Sequence, residues 1–312
     1  MMPRVRAIGI REFGGREKLE LLELPEPKVA PDGVKIRIRA AGVNPVDWKL
    51  REGRLEPRFP HVFPVVPGWD AAGVVEEVGP GVVEVTPGEE VFAYCRKHFV
   101  GEGTYAEFVS VPVTFVAPKP ETASFEQAAA IPLVGLTAYQ ALFFAAALTA
   151  GESVLVQAAA GGVGSTAVQL AVDAGAEVIG VASERNRDHV LGLGAYEVVE
   201  RTADVPAAVR QVVPRGVDVA LDVYGDESLG DAVRDGGRLV SLAAPPSYRE
   251  RGVEPSYVFV RPNGEELEEL ARLFDDGRLV VELQDVLPLE DAARAHELSE
   301  AGHVRGKLVL TV

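Results

Sequence analysis

Residues 153–183 read SVLVQAAAGGVGSTAVQLAVDAGAEVIGVAS, and their spacing is that of a phosphate-binding turn. An apolar run at 153–157 enters the turn Ala159-Ala160-Gly161-Gly162-Val163-Gly164, after which Val163, Ala167, Leu170, Ala171 and Ala174 recur at helical intervals. Gly161 would let backbone approach a diphosphate, and Gly164 would let the helix lie close on the strand. The helix start offers amides that lack intrahelical acceptors to the negative oxygens. A second apolar run at 178–182 completes strand, helix and strand within ~30 residues, the context that a dinucleotide fingerprint requires. Ala159 stands where G-x-G-x-x-G has its first glycine.

The nucleotide's identity turns on the end of that second run. It closes at Ala182-Ser183, without the acidic residue that would hold the 2′-hydroxyl of NAD, and Arg185 and Arg187 follow. A guanidinium fork matches a phosphate, so NADP(H) is expected. Glu184 argues the other way, because its carboxylate could reach a ribose instead. The five histidines, His61, His98, His189, His296 and His303, show no i, i+4 pairing and no H-E-x-x-H pattern, so surface or packing roles are expected of them. Cys95 is the single cysteine, which excludes an intramolecular disulfide and a cysteine-built metal site and fits a reducing cytoplasm.

The elements that must position these residues fall into two textures. Residues 34–40, VKIRIRA, alternate with Val34, Ile36 and Ile38 on one face and Lys35, Arg37 and Arg39 on the other, as a half-buried strand does. Comparable short runs at 4–10, 19–24, 72–78, 90–93 and 105–111 predict an all-β barrel or sandwich over roughly the first 115 residues. After Pro118, strands at 153–157, 178–182, 198–199, 217–223 and 238–242 alternate with helical sequence, which predicts a parallel sheet covered on both faces. Beyond Pro255 helices are expected at 265–275 and 290–301, with a closing strand at 307–312. The apolar stretch 131–147 contains Pro132, Gly135, Thr137, Tyr139 and Gln140, falls short of a membrane span, and reads as a buried helix.

The chain has 312 residues, 31 Lys plus Arg against 47 Asp plus Glu, and a formal net charge of −16. That balance repels a phosphate backbone, so nucleic acid is excluded as a main partner. The N-terminus lacks the long apolar core of a signal peptide, and no membrane role is expected.

These residues, in this order, resemble the zinc-independent branch of the medium-chain dehydrogenase/reductase superfamily, the quinone oxidoreductase and alkenal reductase group. The resemblance spans the chain and rests on AAGVNPVDWKLREG at 40–53, PGWDAAGVVEEVGPGV at 67–82, GTYAEF at 103–108, AAAGGVG at 158–164 and GKLVLTV at 306–312. It implies an α/β fold in which a Rossmann domain with a doubly wound parallel sheet, residues 118–258, is inserted in a GroES-like β-barrel catalytic domain, residues 1–117 and 259–312. Zinc-dependent relatives place a cysteine after the A-G-V run and a histidine after the proline-glycine, where this chain has Asn44 and Trp69, so no catalytic metal is expected.

Asn44, by this resemblance, lies near the nicotinamide ribose and substrate, although its place before Pro45 also suits a helix N-cap. Lys49 resembles the lysine that polarises a carbonyl or contacts the cofactor, and Asp47 could pair with it or cap the helix. The resemblance puts Thr137, Leu242 and Ala243 beside the nicotinamide, Ala160 to Gly164 at the diphosphate, and Ser183, Asn186 and Arg201 near the adenosine phosphate. Lys307 could reach the cofactor or simply end a strand. Phe63, Trp69 and Tyr257 are candidate flat walls for a planar substrate. The expected activity is NADPH-dependent reduction of quinones or of the activated C=C bond of enones and alkenals, in a cytoplasmic homodimer joined through the edge of the nucleotide sheet. The alternatives are a non-catalytic NADP(H)-binding sensor or crystallin-like structural protein and, less favoured without a Lewis acid, alcohol oxidation.

Overall fold

The structure, a computed structural model, describes residues 4–312. The chain divides into two compact units: the segment up to Leu133 together with Arg261–Val312, and Val134–Val260.

The first unit opens with β1 (Arg4–Gly9) and β2 (Glu20–Pro25), an antiparallel pair. There follow β3 (Gly33–Val43), α1 (Pro45–Arg51), β4 (Asp70–Val78), β5 (Glu90–Tyr94), β6 (Phe108–Pro112), β7 (Val116–Pro118) and α2 (Phe125–Ala129). On β3 the alternation holds, since Val34, Ile36 and Ile38 are buried while Arg37 and Arg39 are exposed. Lys35 departs from it: the side chain is buried, and its ammonium donates to Glu26 at 2.5 Å and Glu77 at 2.6 Å, so paired charge rather than water satisfies it. α2 packs on β3 and β4, which moves the first boundary of the units from the expected 117/118 to Leu133/Val134, inside the first turn of the next helix.

The second unit runs through α3 (Pro132–Tyr139) and a π-helical segment (Gln140–Ala145), largely buried as the apolar stretch predicts. It continues through β8 (Ser153–Val156), α4 (Gly162–Asp173), β9 (Glu177–Ala182), α5 (Arg187–Gly192), β10 (Glu197–Glu200), α6 (Val205–Val212), β11 (Val217–Asp222), β12 (Val233–Ser241) and β13 (Glu254–Tyr257). All six strands are parallel, in the order β10-β9-β8-β11-β12-β13. Strand order therefore reverses between β8 and β11, and in such sheets ligands bind beyond the carboxyl ends at that reversal. Leu155, Ile179, Val217 and Leu239 share the apolar core beneath it.

The chain then returns to the first unit as α7 (Gly264–Asp275), β14 (Leu283–Pro288), α8 (Ala292–Glu300) and β15 (Lys307–Thr311). β15 lies between β14 and β3 in the order β14-β15-β3-β4-β5-β7, with β6 paired to β3. Leu308 and Leu310 enter the same core as Ile36, Ile38 and Val91. Two separated stretches of sequence thus build one sheet.

Candidate active site

In the second unit the glycine turn joins β8 to α4. Ala158 takes a left-handed φ of 54°, and the Gly161 amide donates to the Ala158 carbonyl at 2.9 Å, closing the turn. A Cβ on Gly164 would lie 2.1 Å from the Ala158 oxygen, so only glycine lets α4 sit this close to the turn. Ala159 is tolerated at the usual glycine position because Gly180, facing it on β9, has no side chain; a Cβ there would come within 3.0 Å of that of Ala159. Gly161 is different. Its φ is −85°, and an added Cβ would meet only the Ala158 oxygen at 3.4 Å, so neither backbone nor packing demands glycine. What its bareness does is leave open space at the start of α4, where the amides of Gly162, Val163 and Gly164 have no intrahelical acceptors. That arrangement fits the diphosphate of a dinucleotide.

The neighbouring strand ends are tied down by groups that the sequence reading did not single out. Asp222, buried at the end of β11, accepts the amides of Tyr224, Gly225 and Asp226 on one oxygen at 3.0, 2.7 and 2.9 Å, and the Ser241 hydroxyl on the other at 2.7 Å. Gln157 accepts the amides of Val223 and Tyr224. Leu242 and Ala243 leave β12 beside this lock, with the Leu242 amide donating to the Asp222 carbonyl at 2.8 Å. Ala160 and Thr137 are buried, the latter in α3. Ser183 and Asn186 cap the turn after β9, where the Asn186 amide donates to the Ser183 carbonyl. Arg187 is engaged elsewhere: its guanidinium pairs with Glu197 and donates to the Val198 carbonyl, both on β10. Arg185 and Arg201 are exposed and have no ion pair among the described residues.

In the first unit Asn44 sits between β3 and α1 and is 1% exposed. Its side-chain amide donates to Asp70 at 2.8 Å and its carbonyl accepts from the Lys307 ammonium at 2.6 Å, which fixes which end of the amide points where. Lys307 is buried and also donates to the Val43 carbonyl at 3.0 Å, so it anchors Asn44 rather than reaching outward. Asp47 does not pair with Lys49. Its carboxylate accepts the Asn44 backbone amide at 2.7 Å and the Tyr105 hydroxyl at 3.1 Å, capping α1. Burial pushes Asp47 up to about 7 and Asp70 up to about 6, while burial lowers Lys307 against the opposing pull of Asp70.

Lys49 is half-buried on α1 with its ammonium 5.5 Å from the Trp48 ring centroid, and Arg54 covers the same ring at 5.0 Å. Burial, and then the Arg54 charge, lower its pKa. It has no carboxylate partner among the described residues.

The aromatic expectations divide. Trp69 is 4% exposed between Phe59 and Tyr94, at ring centroid distances of 5.9 and 6.2 Å, and so is core rather than open wall. Phe63 is half-buried against Phe13 and His61. Tyr257 is half-buried on β13 of the other unit.

His296 takes the packing role allowed for it, but with charged and hydroxyl neighbours. It is fully buried on α8, between the Arg51 guanidinium at 3.2 Å and the Tyr105 hydroxyl at 3.3 Å, and burial together with Arg51 holds it down to about 3. Arg51, 1% exposed, continues to Glu300 at 2.8 Å. The available signal was its register, because Ala292, Ala295 and His296 share the buried face of α8. Asp70 and Tyr105 lay inside motifs already noticed, at places where a polar group enters buried sequence.

Among the described residues no three His, Cys, Asp or Glu side chains are grouped so as to hold a metal ion. Nor, among the described residues, is any helix long and apolar enough to cross a membrane.

Comparison with known proteins places this geometry in a class. Residues 30–121 match the alcohol dehydrogenase GroES-like domain, and residues 193–310 match the zinc-binding dehydrogenase family. The chain belongs to the medium-chain dehydrogenase/reductase superfamily, with a GroES-like domain and a Rossmann domain, and is a pyridine-nucleotide oxidoreductase. Within the superfamily it falls in the quinone oxidoreductase and alkenal reductase group. It is 35% identical over 328 residues to the quinone oxidoreductase of Mus musculus, covering 98% of this chain and 97% of that one. It is 33% identical over 313 residues to the chloroplastic NADPH-dependent alkenal/one oxidoreductase of Arabidopsis thaliana, covering 96% and 77%. A crystal structure described as an NAD-dependent alcohol dehydrogenase superposes with a TM-score of 0.88 at 35% identity, covering 98% and 99%.

Proposed function

We propose that this chain binds NADPH on the glycine turn and reduces quinones, or the activated C=C bond of enones and alkenals, without a metal ion. The observation that carries the reading is the uncovered start of α4, where Gly161 is bare although the fold does not require it. Two similar proteins named for quinone and for alkenal/one reduction support the substrate class. Exposed Arg185, and Arg201 at the exit of β10, are the cations available to a 2′-phosphate, whereas Arg187 is already paired.

Metal-free action is supported by what stands at the two positions that hold zinc ligands in zinc-dependent relatives. Asn44 is consumed by Asp70 and Lys307, and Trp69 by an aromatic cluster. Bound NADPH supplies a hydride. The chain's own residues would orient the acceptor and stabilise charge on its oxygen, the task assigned to the half-buried, carboxylate-free ammonium of Lys49. The catalytic unit in this reading is the first, discontinuous one. A homodimer joined through the edge of the parallel sheet, and a cytoplasmic location, belong to the same reading.

Steady-state oxidation of NADPH and NADH with a 1,4-quinone, an alkenal and a primary alcohol tests the proposal, alongside elemental analysis of dialysed protein. Turnover of the quinone or alkenal with NADPH and no stoichiometric zinc is the expected result. Binding without turnover would leave the sensor or structural reading, and alcohol turnover with NAD would support the activity for which the similar crystal structure is named. Lys49→Met should lower kcat by about 10²-fold with NADPH affinity nearly unchanged.

A further inference from the structure

The first unit takes two carboxylates and one ammonium out of water. Asp47 and Asp70 are 0% exposed and Lys307 is 4% exposed, so if all were ionised the group would carry one uncompensated negative charge. Asp70 is well equipped as the anion. One oxygen accepts the Leu133 amide at 2.9 Å, the other accepts the Asn44 side-chain amide at 2.8 Å, and the Lys307 ammonium stands 3.8 Å away.

Asp47 is not so equipped. Its Oδ2 accepts the Asn44 amide and the Tyr105 hydroxyl, but its Oδ1 is buried with no hydrogen-bond partner. The direction of every neighbouring bond can be assigned. A guanidinium only donates, so Arg51 makes His296 Nδ1 an acceptor; the imidazole proton is therefore on Nε2 and goes to the Tyr105 oxygen, and the Tyr105 proton goes to Asp47 Oδ2. The oxygen left to carry a proton is Asp47 Oδ1.

We propose that Asp47 and Asp70 hold one proton between them beside the Lys307 ammonium, seated on Asp47 Oδ1, and that Asp47 in this neutral form is a positioning residue for Asn44. Asn44 is held by all three groups: its backbone amide by Asp47, its side-chain nitrogen by Asp70 and its side-chain oxygen by Lys307. The other charged or titratable groups facing Asp47 are Tyr105, Tyr94 on β5, and, beyond Tyr105, His296 on α8 and Arg51 on α1. Burial, opposed by the Asn44 amide, raises Asp47 toward neutrality, in keeping with the bond directions. Raising the pH past neutral takes the proton away and leaves a buried charge beside Asn44. That Asn44 lies near a bound nucleotide is what the family resemblance implies and rests on the proposed binding of NADPH; the proton count does not.

Urea unfolding of the wild type and Asp47→Asn across the pH range tests the count without any nucleotide. The folded wild type keeps a proton that the unfolded chain releases in the ordinary carboxylate range. Its folding equilibrium constant should therefore fall, relative to that of Asp47→Asn, by up to about tenfold per pH unit between about pH 4 and about 7, and run parallel above. Parallel curves throughout would overturn the proposal. If Asp47→Asn does not fold, carbon-13 titration of the assigned wild-type aspartate carboxyls decides: Asp47 moving near neutrality, above Asp70, is expected, and an Asp47 carboxyl that has finished moving below Asp70 overturns it. For the positioning role, wild-type affinity for NADPH should weaken above neutral pH while that of Asp47→Asn stays level, and equal pH dependence in the two proteins would refute it. Absence of NADPH binding at every pH would sink the functional reading and the positioning role with it, leaving the proton count to the unfolding curves.

Discussion

Lys307 and His296 place ionisable groups where water does not reach, and each makes the fold depend on a partner far along the chain. Removing the ammonium of Lys307 leaves the buried Asp70 carboxylate without its counter-charge and the Asn44 side-chain oxygen without its donor. Lys307→Met should therefore destabilise the protein by about 3–5 kcal/mol, read from urea denaturation at neutral pH. His296 acts in the acid range. Because its folded pKa lies near 3, below the unfolded value of 6.5, the unfolded chain binds the extra proton, and stability is lost as pH falls through that window. His296→Gln should lack that share of acid sensitivity, visible as a flatter dependence of Tm on pH between about 6.5 and 3. Asn44 stands out in the sequence by its motif, but its partners do not. Asp70 is 26 positions away and Lys307 is 263, and no local spacing announces contacts of that range.

The element that carries the functional reading is the turn between β8 and α4, where two glycines serve different ends. Gly164→Val would push a side chain into the Ala158 carbonyl and should lower Tm by several degrees, at an overpacking cost of about 1–3 kcal/mol or more. Gly161→Ala meets only ordinary contact, so it should fold normally and lose affinity for NADPH, as isothermal titration would show. Full affinity in Gly161→Ala would remove the turn from the nucleotide site. This turn, β3 and the parallel strands were readable because burial there follows a simple period. β14 was not. It is an edge strand whose residues are half-buried or exposed, with no alternating apolar face to betray it. α2 lies with the first unit although the expected boundary precedes it, and an Ala-rich helix carries no mark of the sheet it will cover.

At the scale of the whole molecule, a net charge of −16 opposes the approach of an anionic nucleotide. That repulsion reaches ~30 Å at 0.01 M salt and ~8 Å at 0.15 M, so the association rate of NADPH should rise as salt is added over that range. Stopped-flow fluorescence would measure it, and a falling rate would mean that local cations such as Arg185 and Arg201 outweigh the surrounding acid. Charge of this kind is legible from composition, whereas the assignment of 259–312 to the catalytic domain is implied by resemblance alone, since periodicity in that stretch is weak.

The position of β15 between β14 and β3 also sets an order of events as the chain emerges from the ribosome. Residues 134–260 are contiguous and can close their own sheet while synthesis continues. The earlier strands must wait, with β3 lacking a neighbour, until a stretch translated after the whole parallel sheet arrives to fill the gap. Translation pauses between codons 260 and 307 would lengthen that wait, and the exposed flank of β3 is then where a chaperone would find something to hold.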